Sequence, residues 1–157
     1  MDGSEVTLIY QKICKLKVGM PMNILNCTQS DIPELARLNR MLIEDEKADN
    51  NMTIAQLERR MEDFLRSEYR AFFFETDGKL VGYALVNTAN TPFYLRQFFI
   101  CRDGRRMGYG KTAFYALLDH LQICEIDIDV YAWNQKGISF WKSLGFSEQY
   151  HNMRFKK

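Results

Sequence analysis

At 157 residues the chain is long enough to bury a self-sufficient core as one domain, with no need of metals or disulfides to staple it. Apolar residues make up 46% and charged residues 26%, and the charges cancel to +1, so no global field points to nucleic acid or to a membrane surface as partner. Cys14, Cys27, Cys101 and Cys124 are scattered without a Cys-x-x-Cys pair, which suggests neither a zinc site nor a disulfide framework and fits a reducing, cytoplasmic setting.

A catalytic cysteine would need a nearby base, and with only His120 and His151 to choose from, structural thiols and surface histidines are the better reading. No run approaches the ~20 apolar residues of a membrane span, and the opening residues lack the basic-then-apolar pattern of an export signal, so export is not expected. Residues 1–21 read as an extension of open role. Val6 to Tyr10 has strand character, while Lys12, Lys15 and Lys17 with Gly19-Met20-Pro21 suggest a solvated lead-in; an early start codon and an extra edge strand both remain open. The domain proper is expected over 22–157.

Met22 to Thr28 has a short strand pattern. Ser30 and Asp31 then offer helix N-caps, with Asp31 and Glu34 at capping-box spacing and Pro33 in the first turn. Leu35, Leu38 and Leu42 line one helical face until Glu44-Asp45-Glu46 and Asp49-Asn50-Asn51 open a polar loop. Thr53 and Gln56 form a second capping box, before a helix marked by Ile54, Leu57, Met61, Phe64 and Leu65. Tyr69 to Thr76 and Lys79 to Asn87 are expected to pair as strands about a two-residue Asp77-Gly78 turn. Tyr94 to Ile100 is the next strand, and a third helix buries Phe114, Leu117, Leu118 and Leu121. Glu125 to Trp133 alternates as a strand, with Ile126, Ile128 and Val130 one way and Asp127, Asp129 and Tyr131 the other. A fourth helix over about Gln135 to Ser143 and a last strand over Gln149 to Phe155 complete the order β-α-α-β-β-β-α-β-α-β. That is an α+β fold, a mostly antiparallel sheet of about six to seven strands flanked by about four helices.

The informative stretch is Tyr94 to Ala113, where an apolar strand breaks into a glycine-punctuated basic loop that turns directly into a helix. A helix start leaves about four N–H groups unpaired and carries about half a positive charge, so it takes an anion when the side chains allow close approach. Gly108 and Gly110 would allow it, and Arg105, Arg106 and Lys111 add cations suited to a diphosphate. Gly-x-Gly alone would as readily be a plain turn with a capping glycine. Neither nucleotide-loop template fits well. Gly104 stands one place too near Gly108 for a Walker loop, and Ala113 occupies the third glycine position of a dinucleotide fingerprint.

Arg105-Arg106-Met107-Gly108-Tyr109-Gly110 resembles the Arg/Gln-x-x-Gly-x-Gly/Ala pyrophosphate loop of the GNAT superfamily of N-acetyltransferases. Ile100 stands five residues before Arg105, as the strand-end aliphatic of that family does. Asn134 to Phe146, read as Asn-Gln-Lys-Gly-Ile-Ser-Phe-Trp-Lys-Ser-Leu-Gly-Phe, resembles its second segment. In order and spacing the likeness runs from about Met22 to the C-terminus.

The resemblance implies a fold in which strands four and five splay apart and acetyl-CoA, the co-substrate, lies in the cleft. Its arm would bond the main chain of Phe98, Phe99 and Ile100, its pyrophosphate would sit on 106–111, and the Asn134 amide would touch the arm. Without the family, Asn134 would be a helix N-cap, and Phe98 and Phe99 simply core. Trp141 stands where many members carry the tyrosine that protonates the departing thiolate; an indole cannot act as that acid, so Tyr131 or a water could donate instead, with Trp141 walling the pocket.

Acetyl transfer to an amine needs a base for the ammonium proton, and Asp129 is the first choice, five residues before Asn134 where some members place a glutamate. Its face, shared with Asp127, could line the cleft or be an ordinary solvated strand face. Gln97 is a weaker candidate, since an amide cannot take the proton. Glu44, Asp45, Glu46 and Asp49 could receive a cationic acceptor or be a solvated loop. The expected activity is acetyl-CoA-dependent transfer to a primary amine of a small molecule or peptide, with no metal, nucleic acid or membrane partner; a homodimer is compatible with the sequence. A non-catalytic acyl-CoA-binding or protein-interaction module on the same fold is the alternative, and a nucleotide-phosphate binder ranks last.

Overall fold

The computed structural model describes residues 21–157; the expected extension over 1–21 lies outside the described residues except for Pro21. Five strands form one sheet in the order β1-β2-β3-β4-β5, with β1 at Asn23–Asn26, β2 at Tyr69–Thr76, β3 at Lys79–Asn87, β4 at Phe93–Ile100 and β5 at Ile126–Ile128. Neighbours pair antiparallel except β4 and β5, which run parallel. Four helices cover the sheet: α1 at Ile32–Glu46, α2 at Ile54–Leu65, α3 at Tyr109–Leu121 and α4 at Gln135–Ser143.

The sheet divides the apolar side chains between two faces because successive residues of a strand point oppositely. On one face Leu35, Leu38 and Leu42 of α1 and Met61 of α2 pack on Ala71, Tyr83, Leu85 and Phe99. On the other, Ala113, Phe114, Leu117 and Leu118 of α3 meet Phe72, Phe74, Val81, Ala84, Val86, Leu95 and Ile126. The strand covered on both faces is β3, buried without a break from Val81 to Val86. Each fully buried Leu or Phe adds roughly 2 kcal/mol, so the two layers together fix the sheet that carries the loops.

Local signals account for most boundaries. Asp77 and Gly78 sit at φ 50° and 72°, the paired positive values of a two-residue hairpin turn. The Thr53–Gln56 capping box forms as expected, Thr53 N–H to Gln56 Oε1 at 2.8 Å and Gln56 N–H to Thr53 Oγ1 at 3.3 Å. The other expected box does not. Thr28 and Asp31 reciprocate ahead of a short 3-10 turn, and Glu34 pairs with Arg37 at 2.6 Å instead.

Three expectations are corrected. First, α1 does not stop before Glu44 but runs on to Glu46, closed by Lys47 in the left-handed region at φ 50°; cations from another part of the chain neutralise the acids that would otherwise oppose the helix dipole. Second, β5 covers only Ile126–Ile128 of the expected Glu125 to Trp133, because the chain beyond it turns toward α4 and is tied back to α1. Third, Gln149 to Phe155 is not a strand: no ladder pairs it, and Tyr150, Met153 and Phe155 find no core to enter, being 71%, 90% and 89% exposed. The sheet therefore has five strands among the described residues, not six or seven.

Candidate active site

Strands β4 and β5 pair only at Phe93 with Ile126, Tyr94 with Asp127 and Leu95 with Ile128. β4 then continues to Ile100 while the other chain departs, so the two splay and the backbone of 96–100 has no strand partner on that side among the described residues. A register shift against β3 marks the same place, with Leu95 opposite Val86 and Gln97 opposite Leu85, leaving Arg96 as the extra residue of a bulge. The Arg96 guanidinium lies over the rings of Phe64 and Tyr69, at 5.2 and 6.0 Å.

The side chains of Phe98 and Phe99 are core. Phe98 meets Phe74 and Trp141 at 5.2 Å, and Phe99 faces Tyr83 at 6.3 Å on the opposite side of the sheet. What this stretch can offer a ligand is main chain. The carbonyl of Ile100 already accepts the Nε–H of Arg105 at 3.0 Å.

The loop after β4 makes a 3-10 turn at Arg102–Gly104 and then reaches α3 through Arg106 at φ 63° and Gly108 at φ 81°. Positive φ on either side of Met107 curls successive N–H groups toward a common point, the geometry of an anion nest. The first helical bond runs from Thr112 N–H to Gly108 O at 3.2 Å, so the N–H groups of Gly108, Tyr109, Gly110 and Lys111 have no acceptor within α3. No acidic residue stands in the first turn, and the exposed Arg106 and Lys111 have no ion-pair partner among the described residues.

The two glycines do different work. A Cβ on Gly108 would meet nothing within 4 Å, so the backbone there is open to an incoming group. A Cβ on Gly110 would stand 3.1 Å from the Phe140 ring, so that glycine makes room for α4 rather than for an anion.

Arg105, expected at the diphosphate, points elsewhere. Its guanidinium pairs with Asp45, its Nε–H holds Ile100 O, and it lies 5.3 Å over the Phe99 ring. Arg102 joins it, with Nε–H to Asp45 at 3.0 Å and a second nitrogen to Glu44 at 3.1 Å. Partial burial pushes the Asp45 carboxyl up, but the two guanidinium bonds outweigh it and hold the carboxyl below the usual carboxylate range. Glu44 and Asp45 are therefore not free to receive an acceptor; they clamp the basic loop to the end of α1.

Asn134 caps α4: its Oδ1 accepts the Gly137 N–H at 3.0 Å, which leaves the Nδ2 protons as what it can offer a ligand. Trp141 sits within an aromatic cluster, 4.8 to 5.6 Å from Phe98, Phe114, Phe140 and Phe146, joining α4 to the sheet. Tyr131 stacks on Trp133, and its hydroxyl makes no hydrogen bond among the described residues.

Asp129, one residue beyond β5, is exposed and accepts from the Tyr94 and Tyr150 hydroxyls, both at 3.0 Å. Burial first, and the Asp129 carboxylate second, raise the Tyr94 phenol well above the ordinary tyrosine range, so it stays a donor.

Sequence reasoning named Gln97 only as a weaker base candidate and missed the buried polar group around it. Tyr83, fully buried, donates to Gln97 Oε1 at 3.0 Å, and Arg60 donates to Asn39 Oδ1 at 2.5 Å. Asn39 and Gln97 are two of the three buried polar residues among those described, and Gln97 stands at the bulge. Buried polar side chains set between apolar periodic positions were the available signal. Glu46 lies near this group and is half-buried; burial, and then Asp45, raise its carboxyl above the usual range. No helix is long and apolar enough to cross a membrane, and no group of three or more His, Cys, Asp or Glu is placed to hold a metal ion, among the described residues.

A family model described as the acetyltransferase (GNAT) family matches residues 35–146. No curated protein matches the chain. Among solved structures, a possible acetyltransferase from Clostridium difficile 630 is 15% identical, with TM-score 0.69 over 87% of this chain and 97% of that one. A predicted acetyltransferase from Clostridium acetobutylicum, solved with acetyl-CoA, is also 15% identical, with TM-score 0.66 over 87% and 96%. The aminoglycoside N-acetyltransferase AAC(6')-Iy in complex with CoA is 18% identical, with TM-score 0.65 over 90% and 97%. At these identities the likeness is one of fold.

Proposed function

The chain belongs to the acetyltransferase (GNAT) family, and from that premise we propose that it transfers the acetyl group of acetyl-CoA directly to a primary amine in a ternary complex. The observation that carries this reading is the open helix start. Four unengaged N–H groups, an unobstructed Gly108 and the free cations Arg106 and Lys111 suit a diphosphate, one strand-end away from unpaired β4 backbone. Acetyl-CoA bound there supplies the thioester. Main chain at Phe98 to Ile100 bonds its arm, 106–111 hold its diphosphate, and Asn134 Nδ2 donates to the arm.

Asp129 takes the ammonium proton of the acceptor, directly or through water; it is exposed, and two phenols hold it in place. The thiol leaving group, with pKa near ~8.5, departs largely without help, and the Tyr131 hydroxyl or a water completes its protonation. That neighbours of the same fold bind aminoglycosides and CoA, as AAC(6')-Iy does with CoA and with a bisubstrate analogue, supports a small-molecule acceptor. The unpaired thiols of Cys27, Cys101 and Cys124 suit a cytoplasmic enzyme.

Thermal unfolding with acetyl-CoA, CoA, ATP and NAD in parallel tests the reading. A ligand at 100 times its Kd adds about 2.7 kcal/mol, a shift of roughly 5–10 °C for a chain of this size. Protection by both CoA species and by neither ATP nor NAD is expected; no protection by CoA sinks the assignment. Asp129→Asn is expected to lower kcat by about 100-fold or more while acetyl-CoA affinity stays within about twofold, and a fully active variant would remove Asp129 from the base role. The non-catalytic reading is favoured by Trp141, which is packed among aromatic rings and whose indole N–H cannot serve as a general acid. Tight acetyl-CoA binding without transfer to any amine would select it.

A further inference from the structure

The loop leaving β5 turns two of its largest apolar side chains outward. Tyr131 and Trp133 stack face to face, centroids 4.6 Å apart and planes at 14°, yet 43% and 60% of their surfaces stay open. These rings are not loose. The Trp133 indole N–H donates to the carbonyl of Glu46, the last residue of α1, at 3.0 Å. The N–H groups of Asn134 and Gln135 donate to the carbonyls of Tyr131 and Trp133 at 2.9 and 3.0 Å, closing the loop on itself. A rigid aromatic ledge thus stands beyond the point where β5 leaves β4, bolted to the end of α1. Exposed apolar area held in place by hydrogen bonds on a loop is what a ligand contact requires and a solvated surface does not.

The charge beside the ledge is mixed: the half-buried Arg60 guanidinium lies close enough to interact with the Tyr131 phenol and is engaged by Asn39, while one acid stands without a cation. Of the three acids that end α1, Glu44 and Asp45 are neutralised by Arg102 and Arg105. Glu46 is half-buried and has no cationic partner among the described residues, for the Arg60 guanidinium donates to Asn39 instead. A half-buried carboxylate without a counter-ion gains from an incoming cation and repels an incoming anion. An indole face attracts a cation as well, and it covers methylene groups.

We propose that the Tyr131–Trp133 ledge and Glu46 form the acceptor subsite, and that it selects aliphatic amines bearing a second positive charge a few methylenes from the reacting nitrogen. The methylenes lie on the rings and the remote ammonium pairs with Glu46. This rests on the reading of the chain as an N-acetyltransferase, and it assigns Glu46 and Trp133 to specificity, apart from the proton transfer given to Asp129.

Three amines of one four-carbon skeleton separate the possibilities: 1,4-diaminobutane with a remote cation, n-butylamine with none, and 4-aminobutanoate with a remote anion. With saturating acetyl-CoA, kcat/KM is expected to fall in that order, with the diamine about ten-fold or more above butylamine. Glu46→Gln and Trp133→Phe should each cut the diamine's advantage to about threefold or less through its KM, with the KM for acetyl-CoA unchanged and, for Trp133→Phe, a fall of only about 2–4 °C in midpoint from the lost anchoring bond. Trp133→Phe keeps a ring but loses the indole N–H that anchors the ledge, and Glu46→Gln keeps the size and removes the charge.

Equal use of the three amines, preference for 4-aminobutanoate, or retention of the diamine's advantage in both variants overturns the proposal. So does failure of all three amines as acceptors when acetyl-CoA binds. Failure of acetyl-CoA to bind is a separate result, and it overturns the proposed function itself.

Discussion

Two helices begin at the splay, and they begin differently. α4 closes its own start, since Asn134 lends its Oδ1 to Gly137 N–H and the short helix needs nothing from outside. α3 starts on Gly108, with no side-chain cap, no acid in its first turn and a left-handed backbone that aims its N–H groups outward. The contrast teaches what a binding start looks like. An uncapped helix end forgoes about 1 kcal/mol of stability, a deficit that a bound anion would offset.

The largest expected effect breaks the open start. Gly108→Glu places a carboxylate in the nest, where the surrounding space admits the side chain and the left-handed backbone costs about 1–2 kcal/mol. CoA affinity should fall by about 100-fold or more in calorimetric titration while the variant still unfolds cooperatively; unchanged affinity would move the diphosphate elsewhere. Next comes the closed start. Asn134→Asp keeps the capping oxygen and loses the Nδ2 donor, so the midpoint should hold and CoA affinity should drop about ten-fold. Asn134→Ala loses both, with a further fall of about 2–4 °C in midpoint. If Asp and Ala variants bind CoA like the parent, Asn134 is a cap and nothing more. The smallest of the three is Gly110→Ala, which crowds the Phe140 ring and should cost about 1 kcal/mol in stability with CoA affinity within about twofold. A loss of affinity larger than the loss of stability would return Gly110 to the anion site.

Much of this was legible because it is written locally. Apolar spacing placed α1 to α3, Asp77-Gly78 placed the hairpin, and the order strand, basic glycine loop, helix drew attention to Gly108, where α3 starts uncapped. What stayed hidden depends on partners far along the chain. Arg105 was assigned to the diphosphate because nothing near it announces Asp45, which lies on another element. Gly110 looked like Gly108 because Phe140, its reason for being small, comes thirty residues later. The end of α1 was misplaced for the same cause, since acids at a helix C-terminus read as a stop until their arginines are known. The last strand failed from the opposite side: Gln149 to Phe155 was expected to close the sheet, but no neighbouring strand supplies a ladder among the described residues. Asn39, Tyr83 and Gln97 are single polar residues inside apolar periods, and only the fold shows that they meet around the bulge.

The clamp of Asp45 on Arg102 and Arg105 also sets an order of assembly. Its partners are 57 and 60 residues apart, so it closes a ring that contains α2 and the whole β2–β4 meander. Closing a ring of that size costs roughly 1.5 kcal/mol more entropy than closing one of ten residues, and the cost is met only after the enclosed elements are in place. The loop proposed to hold the diphosphate is thus a late product of folding although its own residues are contiguous. Asp45→Asn should accordingly speed unfolding in denaturant-jump kinetics and leave the folding rate nearly untouched; slower folding would place the clamp in the nucleus instead. A folding chain would therefore pair β2, β3 and β4 before the loop from Arg102 to Gly108 is fixed in place.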